Sequence, residues 1–171
     1  MTTETTGTVR IEADGSGTVH MDRVYPTGID DLWDAVTTPE RLARWLVVQL
    51  DGVPAVGKTV RAAFTSSWDG SVRIDECDRP AHLRVTMLDD QDTTVTEAWL
   101  TAVDADHTRL VLEERGFRAD EVADHGAGWQ VHVEDLATVL DGGEPEPWEP
   151  RWRALRPGYL AAVPGGTSTA V

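Results

Sequence analysis

The chain has 171 residues, 40% of them apolar, and thirty acidic residues against fifteen basic ones give a net charge of −15. That length fits one domain with a sizeable core. No apolar run approaches the ~20 residues of a membrane span, and the acidic balance repels nucleic acid and anionic lipid, whose partners are rich in Lys and Arg. The first ten residues carry no basic segment followed by an apolar one, so no signal peptide is expected. A single cysteine, Cys77, rules out an internal disulfide framework and fits a reducing compartment, so a cytoplasmic protein is expected.

Thr8 to Ile11 and Thr18 to Tyr25 read as two strands joined by the turn-rich Ala13–Gly17. Pro26 ends the second strand because it cannot donate to a ladder. Asp30 and Asp31 then place negative charge at the positive end of a helix whose apolar face is Ile29, Leu32, Trp33 and Val36. Thr38 can cap a second short helix with Pro39 at its first position, and Leu42, Trp45 and Leu46 form its buried side. Strand-like runs follow at Thr59 to Thr65, Ser71 to Cys77, His82 to Leu88, Thr93 to Val103 and Thr108 to Phe117. Short turns between them predict an antiparallel meander.

A long helix is predicted from about Asp120 to Leu140, with Trp129, Val133, Leu136 and Leu140 facing the sheet. Gly126 and Gly128 weaken its first half by about 1 kcal/mol each relative to Ala, which predicts a kink or a late start. Gly142 and Gly143 supply the stop. Residues 8–141 thus form the main domain. Residues 142–163 form a Pro- and Trp-rich extension with a short docked helix from about Glu149 to Leu155, and 164–171 a disordered tail.

Several motifs point to chemistry and most are set aside. Gly52 to Thr59 matches the phosphate-binding pattern G-x-x-x-x-G-K-T letter for letter. That loop needs a helix opening at Lys58–Thr59, whereas Val60, Ala62 and Phe64 alternate at strand period, so no nucleotide site is assigned. His125 and His132, seven residues apart, sit about 10 Å apart on a helix, too far for one metal, and no metal or cofactor is assigned. Cys77 reads as an inert, half-buried strand residue beside Glu76 and Asp78. Asp89, Asp90 and Asp92 read as a solvated turn. Glu113 and Glu114 can supply one inward carboxylate but not a pair, so no catalytic residue is assigned.

The series from Val24 to Leu46, with its Thr-Pro-Glu-Arg-Leu and Arg-Trp steps, resembles the N-terminal signature of the activator-of-heat-shock-protein-90-ATPase homologue family, within the START/polyketide-cyclase/birch-pollen-allergen (SRPBCC) superfamily. Arg79 to Thr86, Thr108 to Phe117 and Gly128–Trp129 extend the resemblance over most of the chain. One departure is Met87, where the family often carries Trp. The resemblance implies an α+β helix-grip fold: a curved antiparallel sheet of about six or seven strands wrapped on the long C-terminal helix, with two short helices after the first strands. It also implies an apolar cavity between sheet and helix.

A bent sheet gripping one helix can leave an apolar gap that binds ligands. Trp45, Phe64, Trp68, Met87, Trp99, Trp129, His132 and Val133 are the candidate lining residues. Trp33 and Trp45 double as wedges that seat the short helices. The first functional expectation is a binding protein, monomer or homodimer, for an apolar or aromatic small molecule. The second is a cyclase, dehydratase or hydrolase using His132, His125 or a strand carboxylate. The third, implied by the family name, is a stress-related chaperone partner, for which Arg151, Arg153 and Arg156 are the only basic cluster.

Overall fold

Alternating burial and frequent β-branched residues give eight strands in a computed structural model that describes residues 3–163. These are β1 (Thr8–Ile11), β2 (Ser16–Tyr25), β3 (Val47–Asp51), β4 (Thr59–Phe64), β5 (Asp69–Asp78), β6 (His82–Leu88), β7 (Thr93–Ala102) and β8 (Thr108–Arg118). They form one antiparallel sheet in the order β1-β2-β8-β7-β6-β5-β4-β3. The helices are α1 (Ile29–Thr37), α2 (Pro39–Leu42), α3 (Val122–Leu140) and α4 (Trp148–Ala162). The sequence predicts six or seven strands; β3 is the addition.

β3 exists because α2 stops early. Its helical bonding ends at Leu42, and Trp45 and Leu46 then lie in turns held by backbone bonds to the Leu42 carbonyl, at 3.3 and 2.9 Å. Both side chains are buried as expected. Their backbone leads directly into an edge strand rather than out of a longer helix.

Register shifts at Gly17/Thr18, Val47/Gln49 and Ile74/Glu76 bend the sheet, since each bulge adds a local kink. The shift near Gly17 answers Gly116, at φ +102°, and turns Phe117 inward. A side chain at Gly17 would meet the Phe117 ring at 2.1 Å, so that crossing admits only glycine.

α3 begins one 3₁₀ turn later than the predicted start, after Ala119–Glu121. Its sheet-facing residues Trp129, Val133 and Leu136 are buried, but so are Gln130, Val131 and Asp135 away from them, and His132 between. The second layer is α4, which continues well past the predicted end at Leu155 because Leu155 and Tyr159, one turn apart, are both buried against α3. Gly126 permits this approach: a Cβ there would lie 2.6 Å from the Tyr159 ring. Gln130 ties the layers together. It accepts from Tyr159 Oη (2.6 Å) and Thr6 N (3.0 Å) and donates to the Glu4 carbonyl (2.9 Å) and Glu134 (2.9 Å). No described helix is long and apolar enough to cross a membrane. The predicted tail at 164–171 lies outside the described residues.

Candidate functional site

The concave face of the sheet opens two compartments with a common wall. The first is a partly open apolar cavity of about 440 Å³ between the sheet, α1, α2 and the 53–56 loop. It arises because several inward positions carry small side chains: Ala62 on β4, Thr96 and Ala98 on β7. Its lining is apolar apart from Thr37, Thr96 and Cys77, and holds no histidine or carboxylate. Trp45 closes one end, its Nε1 donating to the Ala35 carbonyl at 3.0 Å.

The second compartment is an open cleft of about 790 Å³ between the β4–β5 turn, α3 and the start of α4. Phe64, Met87 and Trp129 line both spaces and form the partition. Trp68 stands on the cleft side, 4.7 Å from the Phe64 ring, with its Nε1 donating to Asp89 at 2.8 Å. Asp89 is therefore a structural acceptor within the predicted solvated turn.

Charge is concentrated at the cleft. Glu114, next in the inward series after Leu110 and Leu112, is 3% exposed. It accepts from Thr94 Oγ1 at 2.8 Å, from His125 Nδ1 at 2.9 Å and from Trp129 Nε1. Burial pushes its carboxyl up, but the His125 bond and charge, with the Trp129 and Thr94 bonds, outweigh this and hold it below the ordinary carboxylate range. His125 answers in kind: burial pulls it down, but Glu114, Glu121 and Asp124 raise it overall. The Phe117 ring stacks under its imidazole at 4.0 Å, nearly parallel, and fixes its plane. A buried carboxylate bonded to a half-buried histidine on a cleft wall is the kind of pair that can move protons. Its geometry was half legible in the sequence, which marks Glu114 as a candidate inward carboxylate but gives no sign of its partner.

His132 lies one helical turn beyond Gly128 and faces the cleft between Phe64, Trp129 and Trp148, with ring centroids 6.3, 5.6 and 5.8 Å away. Burial in that aromatic surround pushes it down to about 3, so it is neutral at physiological pH.

Of the eight candidate lining residues, the structure brings Trp45, Phe64, Met87 and Trp129 to the cavity, and Trp68 and His132 to the cleft. Trp99 and Val133 line neither. Trp99 points to the outer face of β7, where it stacks on His82 at 5.7 Å beside the His82–Glu97 bond. Val133 packs into the second core cluster against β1 and β2, and its carbonyl accepts the Tyr25 hydroxyl at 2.8 Å. Cys77 is exposed rather than half-buried. Lys58–Thr59 lead into β4, a strand where the phosphate-binding motif needs a helix. The arginine cluster of α4 is engaged internally: Arg151 with Asp135 and Glu134, Arg153 with Glu149, Arg156 with Asp124.

Comparison with known proteins places this architecture. Residues 26–141 match the family of activator of Hsp90 ATPase homolog 1-like proteins. Among solved structures, CalU16 from Micromonospora echinospora superposes with a TM-score of 0.73 at 22% identity, over 95% of this chain and 98% of CalU16. DynU16, a protein of the dynemicin biosynthetic locus, gives 0.67 at 26% identity, over 75% of this chain and 48% of its own. MLL2253 from Mesorhizobium loti gives 0.65 at 27%, over 73% and 97%. No curated protein matches in sequence. A curved antiparallel sheet closed by a long helix, matched over most of its length, identifies the chain as a member of the activator of Hsp90 ATPase homolog 1-like family with the helix-grip architecture of the SRPBCC superfamily.

Proposed function

We propose that the protein binds an apolar or aromatic small molecule in the apolar cavity, in the cytoplasm, without transforming it. The observation that carries this reading is a space of about 440 Å³ with an almost wholly apolar wall. That volume lies in the range of small-molecule sites, and an apolar wall gives up little when water leaves it. The test is native mass spectrometry of protein purified from its own host, paired with Ala98→Phe to fill the space. A small-molecule adduct present in the natural protein and absent from the variant supports the reading. An adduct-free natural protein, or an adduct that survives Ala98→Phe, removes it.

A second reading, acid–base turnover of the cyclase, dehydratase or hydrolase type, is favoured by the Glu114–His125 pair at 2.9 Å. Ligand recovered from the host would be incubated with the protein and with His125→Gln. Conversion by the natural protein alone supports turnover, and unchanged ligand in both removes it. For chaperone association, a pulldown with an ATPase assay is decisive: no stimulation at high protein excess excludes it. The internal pairing of Arg151, Arg153 and Arg156 makes those side chains poor docking points.

A further inference from the structure

The wall of the apolar cavity is mostly buried or half-buried. Its exposed members are Pro39, Val53, Ala55, Val56 and Cys77, so the mouth lies among them. Two of these are fixed by regular structure. Pro39 belongs to α2, its carbonyl accepting from Ala43 N at 3.0 Å, and Cys77 pairs with Leu83 in the β5–β6 ladder. The rest of the rim is the 52–58 loop between β3 and β4.

That loop is lightly fastened. Gly57 N donates to the Ile74 carbonyl at 2.8 Å beside an isolated Val56–Ile74 bridge, and Lys58 N closes a turn on the Ala55 carbonyl at 3.0 Å. Among the described residues, no side chain from Val53 to Lys58 makes a hydrogen bond or an ion pair. The apolar stretch is bounded by glycines at positive φ, Gly52 at +111° and Gly57 at +78°. A Cβ on Gly57 would meet nothing within 4 Å, so that glycine supplies backbone freedom and not close packing. Residues of this kind at loop ends can absorb the φ and ψ changes of a hinge.

Composition says what would move the loop. Val53 is 73% exposed and Val56 62%. Residues 52–57 carry no charge in a chain of net −15. Exposed apolar side chains beside an apolar hole leave water by covering whatever fills the hole. An apolar guest therefore favours the closed arrangement over the open one, which is the differential contact that a population shift requires.

We propose that residues 52–57 are a lid, hinged at Gly52 and Gly57, that folds Val53 and Val56 over the mouth once a guest is inside. This rests on the reading of the cavity as a ligand site. Entry takes place with the lid open, and closure slows departure.

The test uses full-length protein and N-phenyl-1-naphthylamine, a neutral apolar fluorophore. Stopped-flow fluorescence follows its entry and release, and hydrogen exchange follows the loop. The expected result is saturable binding that Ala98→Phe abolishes, with slower exchange of the amides from Val53 to Lys58 when the probe is bound. Release from Val53→Ser/Val56→Ser should be about 10-fold faster with entry unchanged, in keeping with the apolar cover lost. Val53→Ser alone, away from the Val56–Ile74 bridge, gives a smaller acceleration and serves if the double variant loosens the loop. No binding by the natural protein, or binding that survives Ala98→Phe, removes the cavity reading and the lid with it. Binding that Ala98→Phe abolishes, but with loop exchange unaltered by the probe, overturns the lid alone. So does release from both serine variants at the natural rate. Entry and release altered by the same factor also overturns it, since the valines then only line the passage.

Discussion

The apolar cavity and the polar cleft share Phe64, Met87 and Trp129 in their walls, yet they are made by opposite means. The cavity is made by omission. Small inward residues such as Ala62 and Ala98 leave volume that no neighbour fills, and an apolar void forfeits only dispersion contacts. The cleft is made by addition. Its outer wall is Pro147 to Trp152, beyond the 26–141 stretch that matches the family. It also gathers the Glu114–His125 pair and the buried, neutral His132. One fold therefore offers a chemically silent chamber and a polar one, and they should respond differently to the same perturbations.

The largest difference is expected from Glu114→Leu. It strands His125 beside an apolar group and removes the acceptor for Thr94 and Trp129. Breaking a buried pair in this way costs about 3–5 kcal/mol. Urea unfolding checks the loss, and binding in the cavity should survive it at temperatures where the variant stays folded. A loss below about 1 kcal/mol would mean that water, not the pair, satisfies these groups.

Acid should separate the compartments next. His132 is held at about 3 when folded, against an ordinary value of 6.5, so its contribution is present above 6.5 and is lost as pH falls toward 3. The slope is about 1.4 kcal/mol per pH unit. His125, raised on folding, contributes fully below 6.5 and loses this as pH rises through its folded value. Glu114, lowered, contributes above 4.5 and loses this as pH falls through its folded value. Between 4.5 and 6.5 that pair is level. The difference between natural protein and His132→Leu should then steepen from half that slope at 6.5 to nearly all of it at 4.5; parallel curves would place His132 in contact with water. Ligand affinity in the cavity, with no His, Asp or Glu in its wall, should not change over the same range.

The smallest effect concerns the hold on α4. Tyr159→Phe removes a hydroxyl that donates to Gln130 at 2.6 Å and accepts from Gly7 N at 3.0 Å, for a loss of about 1–2 kcal/mol. Hydrogen exchange should quicken in α4 and around Trp148 and leave amides of β4 and β7 beside the cavity unchanged. Equal quickening in both would show that the two compartments open as one unit.

Most strands were legible because their inward positions alternate cleanly, as in Val60, Ala62, Phe64 and in Leu110, Leu112. β3 was hidden because Trp45 and Leu46 keep helical spacing through turns that are not helix. Trp99 is placed by strand register. Bulk suggests an inward residue, but Thr94, Thr96, Ala98 and Leu100 hold the inner register of β7 and put Trp99 outside. The small inner residues are what leave the cavity open, and a reading that seeks large side chains passes over them. The cleft was least legible, since its chemistry depends on pairings across long sequence distances, Glu114 with His125 and Asp135 with Arg151. Periodicity shows that α3 has a buried face. It cannot show that a second helix buries the other.

The partition has a consequence of its own. Phe64, Met87 and Trp129 line both the cavity and the cleft, and Met87 is the one flexible side chain of the three. Methionine changes shape at little cost. The wall at Met87 can therefore yield to a guest in the cavity where Phe64 and Trp129 hold their shape.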